Sequence, residues 1–162
     1  LSILCARRAG ADLIVATDLS DFTLKIASDL GADKVINMAR NSEGLSEFTG
    51  NKGTFDVLYE CTGVATALTA GIQAMRPGGT IMQLGLGGDM TLPMMAITAK
   101  ELLLQGSFRF HDEFPTGVSL MQKGLIDVKP LITHTVSIDN AVAGFKLASD
   151  RTQAMKAQIS FA

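Results

Sequence analysis

The sequence predicts an α/β fold, a doubly wound parallel sheet, and three observations carry that expectation. Short apolar runs, LIVATD (Leu13–Asp18), FDVLYE (Phe55–Glu60) and TIMQL (Thr80–Leu84), alternate with stretches of helical spacing. LIVATD shows no in-and-out alternation, which fits a buried strand covered on both faces. The helices between the runs imply right-handed crossovers, and crossovers leave neighbouring strands parallel.

The elements follow in order. Leu1–Ala9 has helical spacing and Gly10 is a natural stop. After a strand over Leu13–Thr17, Ser20 caps a helix whose apolar stripe is Phe22, Ile26, Ala27 and Leu30, and Gly31 ends it. Lys34–Ile36 is a short strand and Asn37–Asn41 a polar loop. Gly44–Gly50 is a weak helix before the turn Asn51–Thr54. The strand Phe55–Glu60 breaks into Cys61-Thr62-Gly63, and Val64–Met75 is a helix. Arg76-Pro77-Gly78-Gly79 forms a sharp turn into the strand Thr80–Leu84, which opens at Gly85-Leu86-Gly87-Gly88. The methionine-rich stretch Met90–Thr98 reads as core or subunit contact. Glu101–Phe108 is a last strand, and Pro115–Lys123 an amphipathic helix on Phe114, Val118 and Met121. Val128–Thr135 is extended, Asp139 caps a helix over Asn140–Ser149, and Met155–Phe161 is a closing strand.

Composition bounds the function. The 162 residues are 47% hydrophobic and 19% charged, enough for one domain with a real core. A net charge of -2 without a basic block argues against nucleic acid. No apolar run approaches the roughly 18 residues of a membrane span, and no signal peptide is evident. Cys5 and Cys61 lack metal-ligand spacing, which favours a reducing, cytoplasmic compartment. The chain begins at Leu1 within a helical pattern and without methionine, as a fragment of a longer protein would.

Several residues point to chemistry. Asp18, at the tip of LIVATD, either caps the next helix or accepts hydrogen bonds from the hydroxyls of an adenosine ribose while repelling a 2′-phosphate. Gly85-Leu86-Gly87-Gly88 looks like a dinucleotide-binding turn, but it lacks the helix-opening third glycine and the acid about twenty residues on. Its glycines are expected to let a flat ring lie against the backbone. A true glycine fingerprint would precede Leu1. Arg109, at a strand end, is either a solvated side chain or a pocket guanidinium able to grip a carboxylate bidentately. His111 and His134 are too isolated to make a metal site. Lys156 reads equally as a surface lysine or a phosphate contact.

ATDLSDFTLKIASDLGADKVIN, FDVLYECTG, RPGGTIMQLGLGG, KELLLQGSFRF and DVKPLITHTVS together resemble, in the same order, the zinc-dependent medium-chain alcohol and polyol dehydrogenases. The resemblance implies a Rossmann-type domain over residues 1–110, lacking its first strand and glycine turn. Residues 111–162 would be a C-terminal segment returning to the catalytic domain. It implies oxidation of a secondary alcohol of a sugar acid or polyol by the intact parent, with NAD as cofactor and a zinc ion held by residues outside this chain. Asp18 matches the ribose-binding acid, although Thr23 stands where relatives carry a basic residue. Cys61, Thr62 and Gly63 match a loop flanking the cofactor. Leu84, Gly85 and Leu86 match the backbone that binds the nicotinamide carboxamide. Phe108 and Arg109 match the segment leading to the substrate, and Lys156 a basic position near the pyrophosphate. The edge strand Glu101–Phe108 would pair subunits into a homodimer or homotetramer. An S-adenosylmethionine-dependent methyltransferase, whose second strand also ends on a ribose-binding acid, is the alternative from another class. A cofactor-binding module without its own catalysis is a third.

Overall fold

The computed structural model describes residues 1–161, and its chain divides into two compact units. The first comprises Leu1–Ser42 with the segment from Asp112 onward; the second is Glu43–His111.

In the first unit, α1 (Ser2–Arg8), β1 (Val15–Asp18), α2 (Asp21–Asp29) and β2 (Lys34–Asn37) form a βαβ unit with a leading helix. β1 and β2 are parallel, with Asp18 opposite Asn37. Ile14, Ala27 and Ala32 form the buried cluster, against which Ile3, Ala6, Ala11 and Ala16 pack. The strand is shorter than LIVATD suggests: Leu13 is 44% exposed. The Ile14 amide is taken by the Asp33 carboxylate at 2.7 Å, so regular strand pairing starts at Val15. The Arg7 guanidinium also grips Asp33 and donates to the carbonyls of Ala11, Asp12 and Gly31. These bonds clamp the turns before β1 and β2. The Ile14 amide, the Arg7 hydrogen bond and the Arg7 charge hold the Asp33 carboxyl below its ordinary value against desolvation.

The later segment of this unit departs from several expectations. α5 (Glu113–Gln122) forms, but none of its residues is buried, and Phe114 and Met121 lie exposed. Val128–Thr135 is not extended throughout: a 3₁₀ turn over Lys129–Leu131, with Pro130 inside it, precedes β6 (Ile132–Ser137). Pro130 suits such a turn because its φ is already set and the missing N–H costs no bond there. Ser137, not Asp139, supplies the capping oxygen, accepting from the Asp139 amide ahead of α6 (Ala141–Ser149). β7 (Lys156–Ser160) then runs parallel to β6.

In the second unit, β3 (Phe55–Glu60), β4 (Met75–Gln83) and β5 (Leu103–Gly106) form a parallel sheet in that order. α3 (Ala65–Ala74) joins β3 to β4, and α4 (Met94–Ala99) precedes β5. Leu68, Ile72, Met75, Ile81, Ile97 and Leu102 make the core, each large side chain worth about 1.5–3 kcal/mol on full burial. The turn Arg76–Gly79 lies inside β4 and not before it. Pairing jumps from Phe55 opposite Met75 to Val57 opposite Thr80, so the Pro-Gly-Gly stretch bulges out and the strand resumes. Lys100 caps the end of α3, its Nζ donating to the carbonyls of Ile72, Gln73 and Met75 at 2.8–3.0 Å. β5 is an edge of its sheet, shorter than Glu101–Phe108 because the Glu101 and Leu102 amides bond back into α4.

The α/β expectation holds, but among the described residues no hydrogen-bonded ladder joins β1–β2 to β3–β4–β5.

Candidate functional site

Asp18 ends β1 and is half-buried. Its Oδ1 accepts from the Ser20 amide at 2.8 Å, and its carbonyl accepts from the Met38 amide at 2.9 Å. Ser20, not Asp18, is the N-cap of α2. Asp18 Oδ2 has no hydrogen-bond donor among the described residues, so one carboxylate oxygen at the strand tip is open to a ligand. Beside it, Asp21 is occupied by Asn37 Nδ2 and the Arg40 guanidinium. In the same unit Lys156 is the first residue of β7, exposed and without an ion pair among the described residues. No hydrogen bond joins it to Asp18.

In the second unit the structure does bring predicted residues together. The loops Cys61-Thr62-Gly63 and Leu84–Gly88, which leave β3 and β4, lie backbone against backbone. A Cβ on Gly85 would stand 2.1 Å from the Gly63 nitrogen, and one on Gly87 2.1 Å from the Gly63 oxygen. Gly63 itself has φ +71°, and a Cβ there would meet Leu86 backbone at 2.5 Å. Gly85 and Gly87 are required by this close approach, since a side chain at either would collide with the loop after β3.

The residue that organises both loops went unremarked in the sequence. Glu60 is 3% exposed, and it is the one buried charged side chain among the described residues. Its carboxylate accepts from the Thr62 amide at 2.7 Å, the Thr62 hydroxyl, the Gly63 amide at 2.8 Å and Gln83 Nε2 at 2.6 Å. Its carbonyl accepts from the Leu84 and Gly85 amides, both at 2.8 Å. Burial alone would raise its pKa, but these donors together outweigh burial and hold the carboxyl below its ordinary value. With those two amides engaged, the Leu84 carbonyl and the Leu86 amide are left without a partner among the described residues. That acceptor and donor suit the two ends of a carboxamide. The signal that could have found Glu60 was an acid closing an apolar strand just before a glycine turn.

Gln83 Nε2 reaches the Gly85 carbonyl as well, while Gln83 Oε1 is buried without a partner. An apolar cleft of about 320 Å³, lined by Leu68, Gln83, Met90, Leu92, Leu104 and Gly106, lies alongside. None of the candidate cofactor or substrate residues lines it, although Met90, Leu92, Leu104 and Gly106 come from the methionine-rich stretch and the edge strand.

Beyond β5, the Ser107 amide donates to the Gln83 carbonyl at 3.0 Å, so the segment carrying Phe108 and Arg109 starts beside the same strand end. Arg109 has φ +63°, a left-handed conformation uncommon for a residue with a side chain. It is exposed, with its guanidinium carbon 4.9 Å from the centre of the Phe108 ring. Among the described residues no three His, Cys, Asp or Glu side chains are grouped to hold a metal, and neither His111 nor His134 takes part in one. The residues present therefore do not fit a zinc ion.

A family model for zinc-binding dehydrogenases matches residues 1–123. The chain belongs to the zinc-binding dehydrogenase family. It is 33% identical over 162 residues to the L-idonate 5-dehydrogenase (NAD(P)(+)) of Escherichia coli (strain K12), covering 99% of this chain and 47% of that protein. It is 35% identical over 150 residues to the sorbitol dehydrogenase of Bos taurus, covering 90% of this chain and 42% of that protein. The crystal structure of the E. coli K-12 L-idonate 5-dehydrogenase superposes with a TM-score of 0.91 at 33% identity, over 99% of this chain and 46% of that one. The chain thus spans about half the length of the relatives it matches. Within this family the fold of the chain is that of the Rossmann-type dinucleotide-binding domain.

Proposed function

We propose that this chain is the cofactor-binding half of a dehydrogenase that uses NAD to oxidise a secondary alcohol of a sugar acid or polyol, L-idonate to 5-ketogluconate being favoured. The observation that carries the reading is the open Oδ2 of Asp18 at the carboxyl end of β1, where such folds bind the ribose of adenosine. Leu84 and Leu86 would hold the carboxamide, with Cys61, Thr62, Gly63, Gly85 and Phe108 around it and Lys156 toward the pyrophosphate. The bound nicotinamide would supply the hydride acceptor. A zinc ion in the intact enzyme would take its ligands from residues outside this chain and would polarise the alcohol oxygen. Residues 1–110 would form the dinucleotide-binding part and residues 111–162 the segment returning to the catalytic domain.

Kinship at 33% identity with an L-idonate dehydrogenase named for both cofactors supports the sugar-acid substrate. It also agrees with Thr23 standing where a basic residue is usual. Family membership sets aside the methyltransferase alternative. No helix among the described residues is long and apolar enough to cross a membrane. Cys5 and Cys61 stand far apart in the sequence without metal-ligand spacing, which supports the cytoplasm as the compartment. The open edge of β5, with Leu103 56% exposed and Leu104 41% exposed, supports pairing with a second copy of the chain.

The substrate is tested through Arg109 in the full-length protein at saturating NAD. If its guanidinium grips a carboxylate, Arg109→Lys raises KM for L-idonate far more than for sorbitol, because only the acid loses a two-pronged ion pair. An equal fall of kcat/KM for both removes Arg109 from substrate selection. A wild type that binds NAD but oxidises neither substrate supports the cofactor-binding module instead.

A further inference from the structure

A buried carboxylate is costly unless every acceptor position finds a donor. Glu60 meets that condition with no cation: all four donors on its oxygens are neutral and come from Thr62, Gly63 and Gln83. Two of these residues belong to the loop after β3, and the third ends β4. The same residue's carbonyl holds the Leu84 and Gly85 amides of the loop after β4. One side chain and its own backbone thus tie both loops at their roots, and Gly63, Gly85 and Gly87 let the loops close on each other.

We propose that Glu60 is a positioning residue for the nicotinamide half of the cofactor. It ties the Cys61–Gly63 and Leu84–Gly87 loops into one rim, and it does not touch the cofactor. This rests on the cofactor assignment above and goes beyond it, since Glu60 matched none of the cofactor positions implied by the resemblance. The consequence is a split by ligand half. Loosening the rim weakens whatever the nicotinamide contributes, whereas the adenosine half, held at Asp18, keeps its affinity. A role in folding alone would weaken both halves alike.

The experiment compares NAD with ADP-ribose, which lacks the nicotinamide, by calorimetric titration of the full-length protein. Glu60→Gln keeps the size but turns an NH₂ group against a pair of donors in either orientation of the amide. Its NAD Kd is expected to rise about tenfold or more, while the ADP-ribose Kd changes by less than about twofold, as for an uncoupled site. Gln83→Leu keeps the test falsifiable should Glu60→Gln not fold, because it removes one donor and the partnerless Oε1 from behind the rim. It is expected to shift NAD and ADP-ribose affinities in the same unequal way. Equal losses for both ligands, or no loss for either, overturn the positioning role while leaving the cofactor assignment intact. A wild type that binds neither NAD nor ADP-ribose overturns the cofactor assignment, and this inference with it.

Discussion

Asp18→Asn separates the two functions that the Asp18 side chain combines. Oδ1 receives the Ser20 amide at 2.8 Å, and an asparagine carbonyl in the same place keeps that bond. Oδ2, the open oxygen, becomes an NH₂ group that no longer accepts from a ribose hydroxyl. The loss is one charge-assisted hydrogen bond, about 1.5–3 kcal/mol. That corresponds to a NAD Kd raised about 10- to 150-fold. NADP affinity should hold or improve, because the substitution also removes the negative charge that would face a 2′-phosphate. The assay is calorimetric titration of the full-length protein with each dinucleotide, alongside a thermal melt. Since the Ser20 bond survives, the melting temperature should stay with the wild type. An unaltered ratio of NAD to NADP affinity would show that Asp18 serves only to hold the turn before α2.

Three further outcomes follow from the geometry. Leu103→Lys, in the exposed edge strand β5, should convert an oligomer to monomers by light scattering, and a wild type already monomeric at micromolar concentration rules the pairing out. Lys100→Met should cost about 1.5–3 kcal/mol in urea unfolding by leaving the last carbonyls of α3 without their shared donor; an unmoved midpoint refutes the cap. Asp33 has a carboxyl held below its ordinary value of 3.8, so its stabilisation is full above that value and is lost as pH falls through the lower folded one. Asp33→Asn should therefore be less stable than wild type at neutral pH and approach it in acid, and a constant difference across the acid range contradicts the linkage.

How far the sequence could be read depended on whether the causes were local. The strand Phe55–Glu60 was legible to the residue, because an apolar run stands between the turn at Gly53-Thr54 and the break at Cys61-Thr62-Gly63. The Ser20 cap and the stop at Gly31, with φ +98°, were legible for the same reason. The candidate loops were legible as motifs as well, since glycines at strand ends leave a mark in the chain itself.

What the sequence left open turned on partners distant along the chain. Leu13 fell outside β1 because Asp33, twenty positions on, takes the backbone group beside it. Leu24 is buried in α2 although the stripe drawn through Phe22, Ile26, Ala27 and Leu30 passed it by, since only packing chooses among adjacent helical faces. The apolar side of α5 was plain in the pattern, but whether anything in this chain covers it was not. Glu60 is the sharpest case. An acid closing an apolar strand marks the position, but its burial became possible only when Gln83 and the two loop backbones converged on it. Sequence by itself determined the alternation of strand and helix and the places where the chain must turn, because these follow from local propensity and backbone freedom. Tertiary structure alone decided which charges are buried, which glycines are required by close approach and which carboxylate oxygen stays open, because hydrogen-bond satisfaction depends on groups that folding brings together.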